Sequence, residues 1–229
     1  MAAFPTAFPR TVRSYTGRGR LTQGQRRALD QLWPLYGIAA GNAPLCLDAL
    51  FGRRAPCHLE IGFGMGDVLL HMAMGNPACN YLGIEVYAPG IGSALLKLHD
   101  RQVQNVRLLH GDAVTALGGR LPAQSLAAVC VFFPDPWPKK RHHKRRLVQP
   151  DFAALVARAL EHGGQVHLAT DWRDYADHML ATFDAAPEFI NTAGQGHFSA
   201  HPPERPVTKF EARGRRRGHD VWDLAFIRT

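Results

Sequence analysis

Cys57-His-Leu-Glu-Ile-Gly-Phe-Gly-Met-Gly-Asp67 passes from a short strand pattern into three glycines at alternate positions, and then into an acidic helix start. Residues 57–61 predict a strand and residues 66–75 a helix. The glycines between them let the chain turn tightly and let a ligand approach the backbone. Outward from this stretch, strand and helix patterns alternate. Further strands are predicted at 81–86, 106–110, 126–133, 164–169 and about 220–227, and further helices at 89–103, 148–162 and 172–185. Alternation of this kind implies parallel pairing through right-handed crossovers, hence an α/β doubly wound sheet with helices on both faces. The last strand has no helix after it and is expected to insert antiparallel.

Ligands of such sheets bind beyond the carboxyl ends of the strands. A glycine turn alone does not separate a dinucleotide from S-adenosylmethionine, but the acids favour the latter. Glu60 precedes the glycines, Glu85 ends the second strand and Asp112 follows the third. Asp67 at the helix start would repel a pyrophosphate. S-adenosylmethionine presents a sulfonium, an ammonium, a ribose diol and an adenine amine, mostly donors and positive charge, to which an acidic pocket is complementary. Glu85 suits the ribose hydroxyls, Asp112 the adenine amine and Glu60 the amino-acid end; Gly62 and Gly64 complete the candidate cofactor set. For each acid taken singly, helix capping or surface charge remains an alternative.

The fourth strand runs into Phe132-Phe-Pro-Asp-Pro-Trp-Pro138 and then Lys139-Lys-Arg-His-His-Lys-Arg-Arg146, six Lys/Arg in eight residues. Pro134 and Pro136 fix φ on either side of Asp135. Trp137 offers a face for a base, or is a core aromatic. The cations suit the phosphates beside that base. Adjacent His142 and His143 point apart, so no metal is expected. Asp171, after the fifth strand, reads as the cap of the next helix, a role that can coexist with substrate contact. The loop at about 190–218 is too long to be a mere connection.

The chain has 229 residues, 46% hydrophobic and 20% charged, which fits a soluble globular protein. It has no apolar run long enough to span a membrane and no signal-peptide pattern. Cys46, Cys57, Cys79 and Cys130 form no metal or disulfide spacing, and Cys57 and Cys130 read as buried small hydrophobes. A reducing cytoplasm is expected. The net charge of +8 gathers at residues 10–27, 139–146 and 213–217, and suits a polyanion. Residues 1–55 read as a basic extension whose helix, about 22–33, opens on a Thr22/Gln25 capping box and packs on the core.

Four stretches resemble the bacterial tRNA (guanine-N7)-methyltransferases: Glu60 to Gly66, Phe133 to Arg146, Ala169-Thr-Asp-Trp172 and Thr208-Lys-Phe-Glu-Ala-Arg213. Arg13-Ser-Tyr and Gly19-Arg-Leu-Thr-Gln-Gly-Gln25 resemble the same family. The resemblance implies a Rossmann-like methyltransferase domain over 56–229, with a mostly parallel seven-stranded sheet whose last strand is antiparallel. It implies methyl transfer from S-adenosylmethionine to N7 of guanine 46 in tRNA. No metal or membrane partner is expected, and the chain is expected to act as a monomer or homodimer. By the same resemblance Glu60, Glu85, Asp112 and Asp135 contact the cofactor or lie beside it, and Asp135 is catalytic. Lys139, Asp171 and Thr208, Lys209, Phe210 and Glu211 contact substrate. Arg141, His142, His143, Lys144, Arg145 and Arg146 meet RNA.

Overall fold

The computed structural model describes residues 4–5, 20–202, 205–207, 211–212, 218 and 220–229. Thr208, Lys209, Phe210, residues 213–217 and residues 6–19 of the basic extension lie outside the described residues. The chain divides into two compact units, Met1–Pro122 and Ala123–Thr229.

The first unit contains α1 (Gln23–Gln31), α2 (Trp33–Tyr36), α3 (Leu47–Phe51), β1 (Cys57–Ile61), α4 (Asp67–Gly75), β2 (Asn80–Glu85), α5 (Ala88–Asp100), β3 (Val106–His110) and α6 (Ala113–Thr115). A π turn, Ala116–Arg120, follows. Thr22 and Gln25 form the reciprocal capping box that the sequence predicts, and α1 ends at Gln31, earlier than expected. β1, β2 and β3 pair in parallel, with Ile61 opposite Ile84 and Glu85 opposite His110, so their carboxyl ends line up. Every residue of β2 is buried, as expected for a strand covered on both faces. Helix α1 packs on α5 closely enough that a Cβ on Gly92 would lie 2.8 Å from Gln25 Cβ. Trp33, Leu95, Leu98 and Leu108 are core to this unit.

The second unit contains β4 (Leu126–Phe132), a 3-10 helix (Lys140–Arg145), α7 (Pro150–Ala159), β5 (Leu160–Thr170), α8 (Arg173–Asp184), β6 (Phe189–Asn191) and β7 (Trp222–Arg228). β4 pairs in parallel with β5, and β7 pairs antiparallel with β5 and with β6. The core is built from Phe152, Val156, Leu168, Tyr175, Met179, Phe183 and Phe226. The seven strands form one sheet in the order β3-β2-β1-β4-β5-β7-β6.

Element boundaries shift for local reasons. Helix α7 begins at Pro150, not 148, because proline suits the first helical position, where its missing N–H costs nothing. β5 starts four residues before the predicted 164, since the register jumps between Leu126–Leu160 and Ala128–Gln165 and bulges residues 161–164. β6 has only three residues, too few for a period-2 pattern. The 3-10 helix is made of cations with no apolar periodicity, and sequence analysis assigns it no structure. Cys57 and Cys130 are buried, as expected, and burial pushes the Cys57 thiol up to about 12.

Candidate active site

In the first unit the glycine turn is the organising feature. Gly62, Gly64 and Gly66 have φ of 74°, 54° and 78°, a left-handed backbone that side chains rarely adopt. A Cβ on Gly62 or Gly64 would meet nothing within 4 Å, so the backbone there faces open space. At Gly66 it would lie 2.6 Å from Ala94 Cβ, so this glycine serves the close approach of α4 and α5. Lys97 closes the turn from α5, donating to Met65 O at 2.8 Å and pairing with Asp67 at 2.5 Å.

Glu60 is 3% exposed, and its Oε2 has no hydrogen-bond partner among the described residues. Burial first, and the Glu85 charge second, push its carboxyl up to about 8. Leaving a buried acceptor unsatisfied costs about 1–3 kcal/mol, which a donating ligand would recover. Glu85 is held differently. Its Oε2 accepts from Gly64 N at 2.8 Å, and its Oε1 from Val86 N at 2.7 Å and Tyr87 N at 2.9 Å. It therefore ties the end of β2 to the glycine turn. Asp112 caps α6, accepting from Thr115 N and Thr115 Oγ1, both at 2.9 Å. The capping alternative thus holds for Asp112, and its carboxylate has further acceptor capacity.

In the second unit β4 ends in a strained turn. Phe133 and Trp137 have φ of 52° and 46°. Non-glycine residues in this region cost about 1–3 kcal/mol each and persist only where their surroundings hold them. Asp135 lies midway between them, braced by Pro134 and Pro136. Phe133 N donates to Ala169 O at 2.7 Å, fastening the start of the turn to β5. Trp137 is partly buried, and its Nε1 has no partner among the described residues. Arg145 lies over its ring at 5.2 Å and His142 meets it edge-on at 5.9 Å. One face of the indole is thus covered by a cation, and the site is neither a bare stacking platform nor a plain core aromatic.

Lys139, Lys140, Arg141, Lys144 and Arg145 are exposed, and His142 and His143 partly so. The His142 imidazole is held below its ordinary value, by desolvation first and then by Arg145, Arg141, Lys139 and Lys144. Arg146 stands apart from this set. It is 1% exposed and its guanidinium is turned inward, onto Pro136 O, His143 and Asp174. Its bonds are made within the protein, unlike the exposed cations beside it.

Asp171 lies one residue before the N-cap of α8. The N-cap position belongs to Trp172, which makes no side-chain cap bond and donates its N–H to Thr170 Oγ1 at 3.2 Å. Glu211, among the candidate substrate residues, is fully buried. It pairs with Arg205 at 2.6 Å, and Arg205 makes two further bonds of 2.9 Å to Asp223 on β7. His201 Nδ1 lies 2.7 Å from Arg205 Nη2, and the guanidinium lies over Phe132 and Phe133 at 5.6 and 5.7 Å. Sequence analysis missed Arg205, Asp223 and Tyr175. A lone arginine among prolines in a polar loop carries no signal of burial.

A family model described as "Putative methyltransferase" matches residues 54–224. A tRNA (guanine-N(7)-)-methyltransferase of Idiomarina loihiensis is 49% identical over 226 residues, covering 98% of this chain and 92% of that one. Its counterpart in Aeromonas hydrophila is 51% identical, covering 97% and 94%. The one in Alkalilimnicola ehrlichii is 53% identical, covering 95% and 92%. The chain belongs to the tRNA (guanine-N(7)-)-methyltransferase family. The fold of this family member is that of other methyltransferases. The 16S rRNA methyltransferase KamB superposes with a TM-score of 0.58 at 17% identity, over 80% of this chain and 93% of that one. An aminoglycoside resistance methyltransferase, NpmB1, superposes at 0.54 and 15% identity, over 80% and 92%. Among its described residues this methyltransferase-family chain has no group of three His, Cys, Asp or Glu able to hold a metal ion. No helix of the described residues is long and apolar enough to cross a membrane.

Proposed function

We propose that this chain transfers a methyl group from S-adenosylmethionine to N7 of guanine 46 in the variable loop of tRNA, in the cytoplasm. The observation that carries the reading is the strained Phe133–Trp137 turn, which presents Asp135 directly before an exposed cationic helix, in a chain of this family. The donor fits the first unit on two counts: an unsatisfied buried carboxyl at Glu60, and open space over Gly62 and Gly64. In this reading Glu60 takes the donor's ammonium, Glu85 its ribose hydroxyls and Asp112 its adenine amine. When bound, the donor supplies an electrophilic methyl group on a sulfonium.

Guanine N7 carries an in-plane lone pair, so no proton has to be removed before it attacks. The chain's task is therefore orientation and charge stabilisation. Asp135 accepts guanine N1–H and N2–H, which raises electron density at N7 and stabilises the cationic ring that forms. Adenine lacks those donors, so the same contact selects guanine. Lys139, Asp171 and Thr208 to Phe210 hold the substrate; Glu211, fully buried against Arg205, supports them from within the protein and does not contact the base. Arg141, Lys144 and Arg145 take phosphates, with His142 and His143 beside them. Extruding the base costs about a few kcal/mol, offset by these contacts.

The reading is tested by incubating the chain with unmodified tRNA transcript and labelled S-adenosylmethionine, then analysing nucleosides by mass. The expected product is 7-methylguanosine, lost when guanine 46 is replaced by adenine. Label in another nucleoside, or none, overturns it.

Glu60 adds a proton linkage. Its carboxyl is protonated below about 8 and must ionise to accept an ammonium. Binding should then release a proton, and affinity should rise as pH approaches 8 and level off above it. Calorimetry with S-adenosylhomocysteine, in buffers of differing ionisation enthalpy at neutral pH, should show release of up to one proton. Glu60→Gln should abolish the release. Proton-neutral binding by the unaltered chain would remove Glu60 from the ammonium.

A further inference from the structure

The Asp135 turn needs something to hold it. Its two ends sit in left-handed backbone at Phe133 and Trp137, and strain of that kind relaxes unless neighbouring groups oppose it. The front end is held by Phe133 N on Ala169 O. The rear end is held by Arg146, whose Nε donates to Pro136 O at 2.9 Å, the carbonyl immediately after Asp135. The same guanidinium lies 4.8 Å over the Tyr175 ring. Its Nη2 donates to Asp174 Oδ2 and to His143 Nε2, the latter at 3.1 Å. The bond from Arg146 holds the Asp174 carboxyl below the usual carboxylate range. Tyr175 is itself fixed, accepting from Val148 N at 3.1 Å. Arg146 is also the residue that ends the 3-10 helix carrying Arg141, Lys144 and Arg145.

We infer that Arg146 is a positioning residue for Asp135: it fastens the cationic helix to the Pro136 carbonyl, sets the direction of the Asp135 carboxylate, and takes no phosphate itself. This rests on the methyl-transfer reading and deepens it. A planar guanidinium satisfies all three acceptors and stacks on Tyr175 at once. A lysine ammonium cannot do so, although it keeps the charge. The residue's chemistry is thus matched to the turn, and a charge alone would not replace it.

The test compares the full-length chain with Arg146→Lys and Lys144→Ala, measuring tRNA affinity against salt and the single-turnover rate at saturating tRNA and donor. For Arg146→Lys the expected result is an unchanged affinity and salt slope with a rate lowered about 10–100-fold, the scale of loss from a small misplacement. Lys144→Ala should weaken binding and lower the salt slope by about 1. If Arg146→Lys flattens the salt slope as Lys144→Ala does, Arg146 is a phosphate ligand and the inference is overturned. An unchanged saturated rate in a folded Arg146→Lys chain overturns it equally. Should Arg146→Lys fail to fold, Asp174→Ala removes one acceptor of the same guanidinium from an exposed position; a lowered rate without weakened tRNA binding supports the inference, and an unchanged rate ends it. Failure of the unaltered chain to methylate tRNA would instead sink the methyl-transfer reading, so the two failures are distinct.

Discussion

Replacing Asp135 by alanine is expected to lower methyl transfer by about 10²–10³-fold, the loss typical of removing one preorganised charge-stabilising group. Donor affinity, measured calorimetrically, should fall far less. Asp135 sits in a backbone held at both ends, by Phe133 N on Ala169 O and by Arg146 on Pro136 O. A carboxylate fixed in that way does not have to be ordered when the guanine arrives, so its charge acts at full effect on the cationic ring as it forms. Asp135→Asn separates charge from shape, because the amide keeps one acceptor oxygen but not the negative charge. Its rate should lie near that of the alanine variant. Equal losses of rate and donor affinity in Asp135→Ala would assign the residue to donor binding alone.

The second large effect is on stability. Arg205→Ala should destabilise the chain by about 3–5 kcal/mol, because it leaves buried carboxylates without their counter-charge. Arg205 is 3% exposed, with Asp223 at 4% and Glu211 at 0%. Asp223 takes a two-pronged bond from the guanidinium and Glu211 a third, and geometry of this kind is the strong form of a charge-assisted bond. Arg205 and Glu211 precede β7, which carries Asp223, so the pairing ties the residues before β7 onto that strand. Urea unfolding with an unchanged m value and a lowered midpoint would show the loss. A change under about 1 kcal/mol would mean that the ion cluster is solvated and contributes little.

The first unit was largely legible from the sequence. Cys57 to Asp67 carries its own instructions: an apolar strand, glycines where φ must be positive, and a helix start, all set by local rules. Glu60, Glu85 and Asp112 follow from it, since parallel register aligns successive strand ends. The second unit was legible in outline. The Pro-Asp-Pro brace around Asp135 was readable because proline fixes its own φ. The left-handed backbone at Phe133 and Trp137 was not, because neither residue prefers it and only the surroundings impose it. Asp171 read as a cap from residue type, yet the helix begins one residue later, with Trp172 in the cap position.

The sequence alone therefore determined the alternating architecture, the acidic strand ends, the glycine turn and the cationic block, because each depends on residues adjacent or periodically spaced in the chain. Tertiary structure alone decided which cations face water and which face inward. Arg145 and Arg146 are neighbours of the same type, yet one lies exposed over Trp137 and the other is buried. Burying a guanidinium requires acceptors to meet it. Those of Arg146 come from Pro136 and Asp174, and those of Arg205 from Glu211 and Asp223. Only folding brings such groups into place.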